Sequence, residues 1–137
     1  MEMLTAVRLP EKAREILEKE AFAHVATLMP DGSPQSTPVW VDVEGDEIVI
    51  NTAEGRAKAR NLREDPRVAL SATDPDDPYD AVIVRGEVSE LTHEGADEHI
   101  DKLAQKYLGE ERYPFRQPGE ERLKIYIAPM VVKGANE

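Results

Sequence analysis

The chain has 137 residues, no cysteine and a formal net charge of −11 at pH 7. This length suits one domain with a single core, and the lack of cysteine excludes disulfides, thiolate nucleophiles and zinc–thiolate sites. The acidic charge argues against nucleic-acid and anionic-membrane partners, which both demand a basic surface. Met1–Leu9 has no apolar run suited to a signal peptide, and no later run is long enough for a membrane span, so a cytoplasmic protein is expected.

The first part of the chain predicts a helix followed by three strands. Pro10–Glu20 places Ala13, Ile16 and Leu17 on one stripe, with proline at the first helical position. Alternating apolar residues and turn sequences predict strands over Ala21–Leu28, Gln35–Val43 and Glu47–Thr52.

The second part predicts two helices and three more strands. The helices are expected over Gly55–Asp65 and Thr92–Leu108, and the strands over Val68–Thr73, Ala81–Leu91 and Leu123–Val132. Asp74–Asp80 reads as a mobile acidic loop, and Gly86 in mid-strand indicates a bulge or a close backbone approach. We therefore expect a mainly β, α+β fold with six antiparallel strands in a small barrel or curled sheet and peripheral helices.

A basic helix is the strongest chemical signal. Arg56–Arg67 carries a local charge of +3, so the rest of the chain stands at −14. Arg56 and Lys58 fall in the first turn, where the helix dipole favours anions and disfavours cations. Free amides, a glycine at position 55 that permits close approach and two cations together form a phosphate cradle. The alternative is a solvated helix face that balances an acidic protein.

Two polar stretches flank this helix. Asn51 and Thr52 end the preceding strand, where they either hydrogen-bond to a ligand or, in the case of Thr52, cap the following turn. Gln35–Trp40 places polar side chains and Pro38 beside a large ring, which suits a flat heterocycle. The alternative for this stretch is an edge strand with a core tryptophan.

Other motifs carry little chemistry. His93 and His99 are six residues apart, whereas a helical zinc pair needs histidines at i and i+4, so no metal site is expected. The common glycine-rich phosphate loops of nucleotide-binding proteins are missing. Any phosphate site here must therefore rest on another scaffold.

Three sequence blocks together resemble a known family. HVATLMPDGSPQSTPVW, NTAEGRAKARNL and RGEV are similar to the pyridoxamine-phosphate-oxidase-like split β-barrel family, and within it to the branch that uses the deazaflavin coenzyme F-420. The resemblance covers about Ala21 to Lys133, and the run NTxxxRAKxRNLxxDPR is specific as a combination. It implies one FMN-binding-protein-like split-barrel domain over residues 1–137, with an N-terminal helix over 1–20 and the barrel over 21–133.

The resemblance also implies a set of site residues. A homodimer is expected, with a cofactor in each groove between the two subunits and Tyr79 contributed by the partner chain, together with the 113–117 segment. Arg56 and Lys58 match residues that hold the cofactor phosphate. The full expected cofactor-binding set is Gln35, Ser36, Thr37, Pro38, Val39, Trp40, Asn51, Thr52, Arg56, Lys58, Arg60, Asn61 and Tyr79.

The function implied is an F-420-dependent oxidoreductase that passes a hydride from the reduced deazaflavin to a small electron-poor substrate. No side chain is identified as catalytic, because the cofactor supplies the chemistry and the motifs hold no cysteine or histidine. Three alternatives remain: an FMN-binding oxidase or reductase of the same fold, a deazaflavin carrier without turnover, and an acidic interaction module.

Overall fold

The computed structural model describes residues 5–134, which form three helices and seven strands. The helices are α1 (Glu11–Glu18), α2 (Ala57–Glu64) and α3 (Ala96–Leu108). The strands are β1 (Ala23–Leu28), β2 (Pro34–Val39), β3 (Asp42–Glu44), β4 (Glu47–Ala53), β5 (Arg67–Asp74), β6 (Asp77–Thr92) and β7 (Arg122–Gly134). The mainly β class with three helices is confirmed. Residues 1–4 of the expected N-terminal helix lie outside the described residues.

All seven strands form one antiparallel sheet in the order β2-β1-β5-β6-β7-β4-β3. Its two edge strands, β2 and β3, are consecutive in the chain and are joined only by Trp40 and Val41. Such a link spans at most about 11 Å. A flat sheet of seven strands would separate its edges by about 29 Å. The sheet must therefore curl until its two edges are neighbours.

The expected six strands are wrong in one place, because Gln35–Val43 forms two strands instead of one. Trp40 and Val41 leave the ladder, and Val41 is fully buried in the core. The backbone of Val41 bonds to side chains of α3: its N–H donates to the Tyr107 hydroxyl at 3.0 Å, and its carbonyl accepts from Lys106 Nζ at 2.7 Å. These contacts replace the ladder bonds that a continuous strand would make.

The expected mobile loop over Asp74–Asp80 is also wrong, since this segment is a tight hairpin. Asp74 pairs with Asp77 across a two-residue turn, and β6 continues from there. The Asp74 carboxylate accepts the Asp76 N–H at 2.9 Å and the Lys19 ammonium at 2.9 Å. The acidic side chains therefore build the turn instead of loosening it.

The core lies inside the curled sheet and is closed by α1. This helix buries Ala13, Ile16 and Leu17, the stripe expected from the sequence. On the other side, α3 packs against β4 and β7, so β4 is buried on both faces. No helix among residues 5–134 has the length and apolar character of a membrane span.

Gly86 confirms the expected close backbone approach. The register of β6 against β7 shifts at this residue, and a Cβ added there would overlap the Ala128 carbonyl oxygen and lie 3.1 Å from the carbonyl carbon. Because the obstacle is backbone within a sheet, it cannot swing aside as a flexible side chain could.

We expect Gly86→Ala to lower the free energy of unfolding by roughly 1–3 kcal/mol, the usual cost of overpacking. Urea unfolding monitored by circular dichroism measures the change. Glu90→Ala, an exposed position on the same strand, is the matched control. Equal stability of the two variants would contradict the close approach.

Candidate functional site

One cavity of about 400 Å³ collects most of the residues that the sequence singled out. It opens between β2, the end of β4, the beginning of α2 and the beginning of β7. Nine of the thirteen expected residues line it: Gln35, Thr37, Pro38, Val39, Trp40, Asn51, Thr52, Arg56 and Lys58.

The other four expected residues lie elsewhere in the chain fold. Ser36 is exposed on β2, and Arg60 is exposed beside an outer groove that Arg67 also lines. Asn61 is buried, and Tyr79 is 87% exposed on the β5–β6 hairpin. A contribution of Tyr79 across a subunit interface stays a prediction.

Asn61 holds Gln35, one of the residues that line the cavity, in place. Its amide nitrogen donates to Thr27 Oγ1 at 3.0 Å and lies 3.4 Å from Gln35 Oε1. Asn61 therefore links Gln35 on β2 to Thr27 on β1. Thr37 lines the cavity, and its buried Oγ1 has no hydrogen-bond partner among residues 5–134.

The beginning of α2 presents cations and free amides to the cavity. Gly55 has φ +86°, and Arg56 is the extended N-cap residue, with no side chain capping the helix. An added Cβ at Gly55 would meet no protein atom within 4 Å, so within the fold the glycine serves the left-handed conformation. The expected close approach of an anion to this backbone stays a prediction. Thr52 is buried and is not a cap, which contradicts that alternative.

Only two of the five basic residues in the 56–67 segment point their charge at the cavity without a counter-charge. Arg63 pairs with Glu54 and Arg67 pairs with Asp65, both at 2.7 Å. Within the part of the chain that the structure describes, Arg56 and Lys58 make no ion pair or side-chain hydrogen bond. Burial, together with Arg56 and Arg122, lowers the pKa of Lys58.

Arg122 is a third cation at this place, and the sequence analysis missed it. It is the first residue of β7, is 6% exposed and lines the cavity. The preceding Glu120 and Glu121 cancel its charge in any local sum, so no charge pattern marks it. Only its place in the sheet, next to the end of β4, could have identified it. We call Arg56, Lys58 and Arg122 the cationic corner.

Three neighbours hold Arg122. Its Nε donates to Asn51 Oδ1 at 2.9 Å, and its Nη1 lies 3.0 Å from Glu120 Oε1. The guanidinium carbon lies 5.2 Å from the centre of the Tyr113 ring. A guanidinium held on several sides presents its remaining N–H groups in a defined direction.

Asn51 in turn connects Arg122 to α3. Its amide nitrogen donates to the Ala96 carbonyl at 2.9 Å and to His99 Nδ1 at 3.1 Å. His99 is 3% exposed, and its other ring nitrogen has no partner among residues 5–134. His93 instead contacts the Arg122 carbonyl, so the two histidines do not share a site.

Aromatic rings form another part of the cavity wall. Trp40 is half-buried and lines the cavity, so the core-tryptophan alternative is wrong. Its ring stacks on Tyr107 at 5.3 Å and meets the edge of Tyr113 at 5.9 Å. Phe22 and Phe115 remain exposed at the rim. Cations and flat rings that line one cavity suit a ligand that joins an anionic group to a planar ring system.

Comparisons with known proteins identify the family and the fold. The family model for pyridoxamine 5'-phosphate oxidase matches residues 9–132. A solved F-420 reductase is 30% identical, with 91% of this chain and 98% of that chain covered and a TM-score of 0.79.

Two further solved structures share the fold. A conserved hypothetical protein from Mycobacterium tuberculosis is 23% identical, with 94% of this chain and 85% of that chain covered and a TM-score of 0.71. An FAD-binding protein from Mesorhizobium loti is 19% identical, with 92% and 94% covered and a TM-score of 0.68.

The buried His99 makes stability depend on pH. Burial is the main cause that lowers its pKa from 6.5 to about 4; Lys124 and Lys102 act in the same direction, and Asp42 and Glu44 oppose them. On acidification the unfolded chain takes up this proton before the folded protein does. The contribution of the neutral His99 ring to the free energy of unfolding is therefore complete above pH 6.5 and is lost as the pH falls towards 4.

We expect the free energy of unfolding to fall less steeply between pH 6.5 and pH 4 in His99→Asn than in the wild type, because the variant lacks this proton uptake. Urea unfolding at several pH values measures both slopes, and the carboxylates common to both proteins cancel in the difference. Identical slopes would contradict a depressed pKa for His99.

Proposed function

The chain belongs to the pyridoxamine 5'-phosphate oxidase family, and on that premise we propose that it is an oxidoreductase that uses the deazaflavin coenzyme F-420. The observation that carries the proposal is the pair of cations Arg56 and Lys58, which have no ion-pair partner among residues 5–134 and lie at the beginning of α2 inside a cavity walled by Trp40. The F-420 reductase that shares 30% identity over nearly the whole chain supports the choice of cofactor.

The residues present fit the phosphate of such a cofactor. Burial and the neighbouring Arg56 and Arg122 lower the pKa of the half-buried Lys58, so a bound anion would stabilise its charged form. The first-turn amides of α2 lack a capping side chain and can donate to the same anion. The cationic corner would therefore hold the phosphate, and the helix dipole would act in the same direction.

The ring system would lie along β2. Thr37 offers its unpartnered hydroxyl, Gln35 offers an amide held by Asn61, and Trp40 closes one side of the groove. The reduced deazaflavin supplies a hydride when it is bound. What this chain adds is binding, orientation and partial exclusion of water by Val39, Ile100 and Leu103.

The side chains near the cavity do not provide an obvious acid or base. Burial raises the pKa of Tyr107 to about 12, and its hydroxyl is engaged by the backbone of Ala21 and Val41. His99 lies behind Asn51 and does not line the cavity. We therefore assign the protein no catalytic side chain, and solvent would supply any proton that the substrate takes up.

We further propose that the active form is a homodimer. Phe22, Phe115 and Tyr79 are large side chains that remain 54%, 58% and 87% exposed, and a second subunit would cover such surfaces. Sedimentation equilibrium measures the mass. A monomer at micromolar concentration would contradict this part of the proposal.

Cofactor titration followed by ring fluorescence tests the choice of cofactor. We expect micromolar binding of F-420 and weaker binding of FMN. The opposite preference would favour the FMN-dependent alternative. If neither cofactor binds, the interpretation as an acidic interaction module would be favoured instead.

The double variant Arg56→Ala/Lys58→Ala should lose roughly 2–4 kcal/mol of binding free energy for F-420, because two charge-assisted hydrogen bonds to the phosphate disappear. Lys12→Ala/Lys19→Ala is the control, since it removes the same charge from residues that pair with Asp80 and Asp74 outside the cavity. Equal affinity of the two double variants would show that the cations are only a solvated helix face.

Turnover separates an enzyme from a carrier. Reduced F-420 should be reoxidised when the protein is mixed with a panel of enones, quinones and tetrapyrroles, and the absorbance of the oxidised deazaflavin measures the rate. Tight binding without any protein-dependent reoxidation would favour the carrier.

A further inference from the structure

We propose that Asn51 and His99 form a positioning pair that sets the direction of the Arg122 guanidinium, and through it the affinity of the cationic corner for a phosphate group. The inference rests on the proposed function, because it concerns the same cavity. It gives Asn51 an indirect role and assigns a role to His99, which does not line the cavity.

The orientation of the Asn51 amide follows from its neighbours. Arg122 Nε is a donor, so the atom that faces it at 2.9 Å must be the amide oxygen. The Ala96 carbonyl is an acceptor, so the atom that faces it at 2.9 Å must be the amide nitrogen. A flipped amide would face a donor with a donor and an acceptor with an acceptor.

This orientation determines the state of His99. The second hydrogen of the Asn51 amide points to His99 Nδ1 at 3.1 Å, so Nδ1 must accept and the ring proton must sit on Nε2. A neutral ring is also what its burial favours. His99 therefore provides the second of two acceptors that keep the Asn51 oxygen turned towards Arg122.

Arg122 needs this support because another contact competes for it. Glu120 pairs with Nη1 at 3.0 Å, and the side chains are only 5% and 9% exposed. A carboxylate alone would leave the guanidinium free to rotate about that contact. The Asn51 oxygen on Nε adds a second fixed point, and the Tyr113 ring lies against one face. Two fixed points on a planar group define which N–H groups are left for a ligand in the cavity that Arg56 and Lys58 also line.

Variants of His99 separate positioning from general packing. His99→Leu removes the acceptor, whereas His99→Asn can return an amide oxygen close to the position of Nδ1. Ala104→Gly is the control, because it weakens the same helix at a fully buried residue that offers no side-chain hydrogen bond to Asn51 or Arg122. Circular dichroism confirms that each variant is folded before binding is measured.

The binding experiment compares ligands with and without the phosphate arm. F-420 and FMN are the phosphate-bearing probes, and their dephosphorylated counterparts, the deazaflavin ribityl chromophore and riboflavin, are the matched probes. We expect His99→Leu to lower the affinity for whichever phosphate-bearing probe binds more tightly by roughly tenfold, as for one misdirected hydrogen bond to a charged group. Its effect on the dephosphorylated probe should stay within twofold, and His99→Asn should recover most of the loss.

A ligand-free measurement tests the positioning directly. The Nε–H resonance of Arg122, identified by its absence in Arg122→Lys, should be resolved and protected from exchange in the wild type and in His99→Asn. In His99→Leu it should move towards the signals of the exposed arginines. The control Ala104→Gly should retain the wild-type resonance.

The outcomes distinguish the two proposals. Suppose that the wild type binds F-420 or FMN. The positioning role is then wrong, and the proposed function stands, if His99→Leu binds that cofactor as tightly as the wild type does. The same conclusion follows if His99→Leu weakens the binding of the phosphate-bearing and the dephosphorylated probe to the same extent. An unchanged Arg122 resonance in His99→Leu would also overturn the inference. If the wild type binds none of the probes, the proposed function fails and the inference fails with it.

Discussion

The short link between the two edges of the sheet is the constraint on which the cavity depends. Trp40 and Val41 alone join β2 to β3, although these strands occupy opposite ends of the sheet order. The backbone of Val41 is held by Tyr107 and Lys106 from the last turn of α3. The curl that this link imposes brings the polar side of β2 next to the end of β4 and the beginning of α2. The site is thus a consequence of how the sheet closes on itself, and its tryptophan lies in the link.

The electrostatics of the cationic corner follow from what surrounds it. An acidic protein offers many carboxylates, yet within the described part of the chain Arg56 and Lys58 have no ion-pair partner, while Arg63 and Arg67 pair with Glu54 and Asp65. Two like charges next to a half-buried lysine oppose folding slightly, and a bound anion would reverse that effect. Arg122 differs from its two neighbours, because Glu120 already balances its charge. Arg122 therefore contributes to anion binding mainly through the direction of its N–H groups and less through net positive charge.

Much of the fold and part of the site could be predicted, and the reasons differ from element to element. The three helices follow from apolar stripes, and the basic segment after β4 stands out because local charge is additive along a chain. The break after Val39 could not be predicted, since the contacts that end β2 come from α3. Likewise Asp74–Asp80 has the composition of a loop, but side-chain bonds to its own backbone and to Lys19 make it a hairpin.

Arg122 shows why the remaining part of the site is hidden from sequence reasoning. A residue is recognised from a motif when its partners are near in sequence. Glu120 is near Arg122, but its other partners are Asn51 on β4, which links it to α3, and Tyr113 on the preceding loop. The pairing of β4 with β7 places Arg122 beside Ala53, one residue past Thr52. The strand register therefore brings Arg122, which belongs to no recognisable sequence pattern, to the same place as Arg56 and Lys58, which belong to the basic segment. The Asn51 amide carries an acceptor oxygen, which faces Arg122 at the cavity, and a donor nitrogen, which faces α3. One side chain near the end of β4 can therefore hydrogen-bond to both.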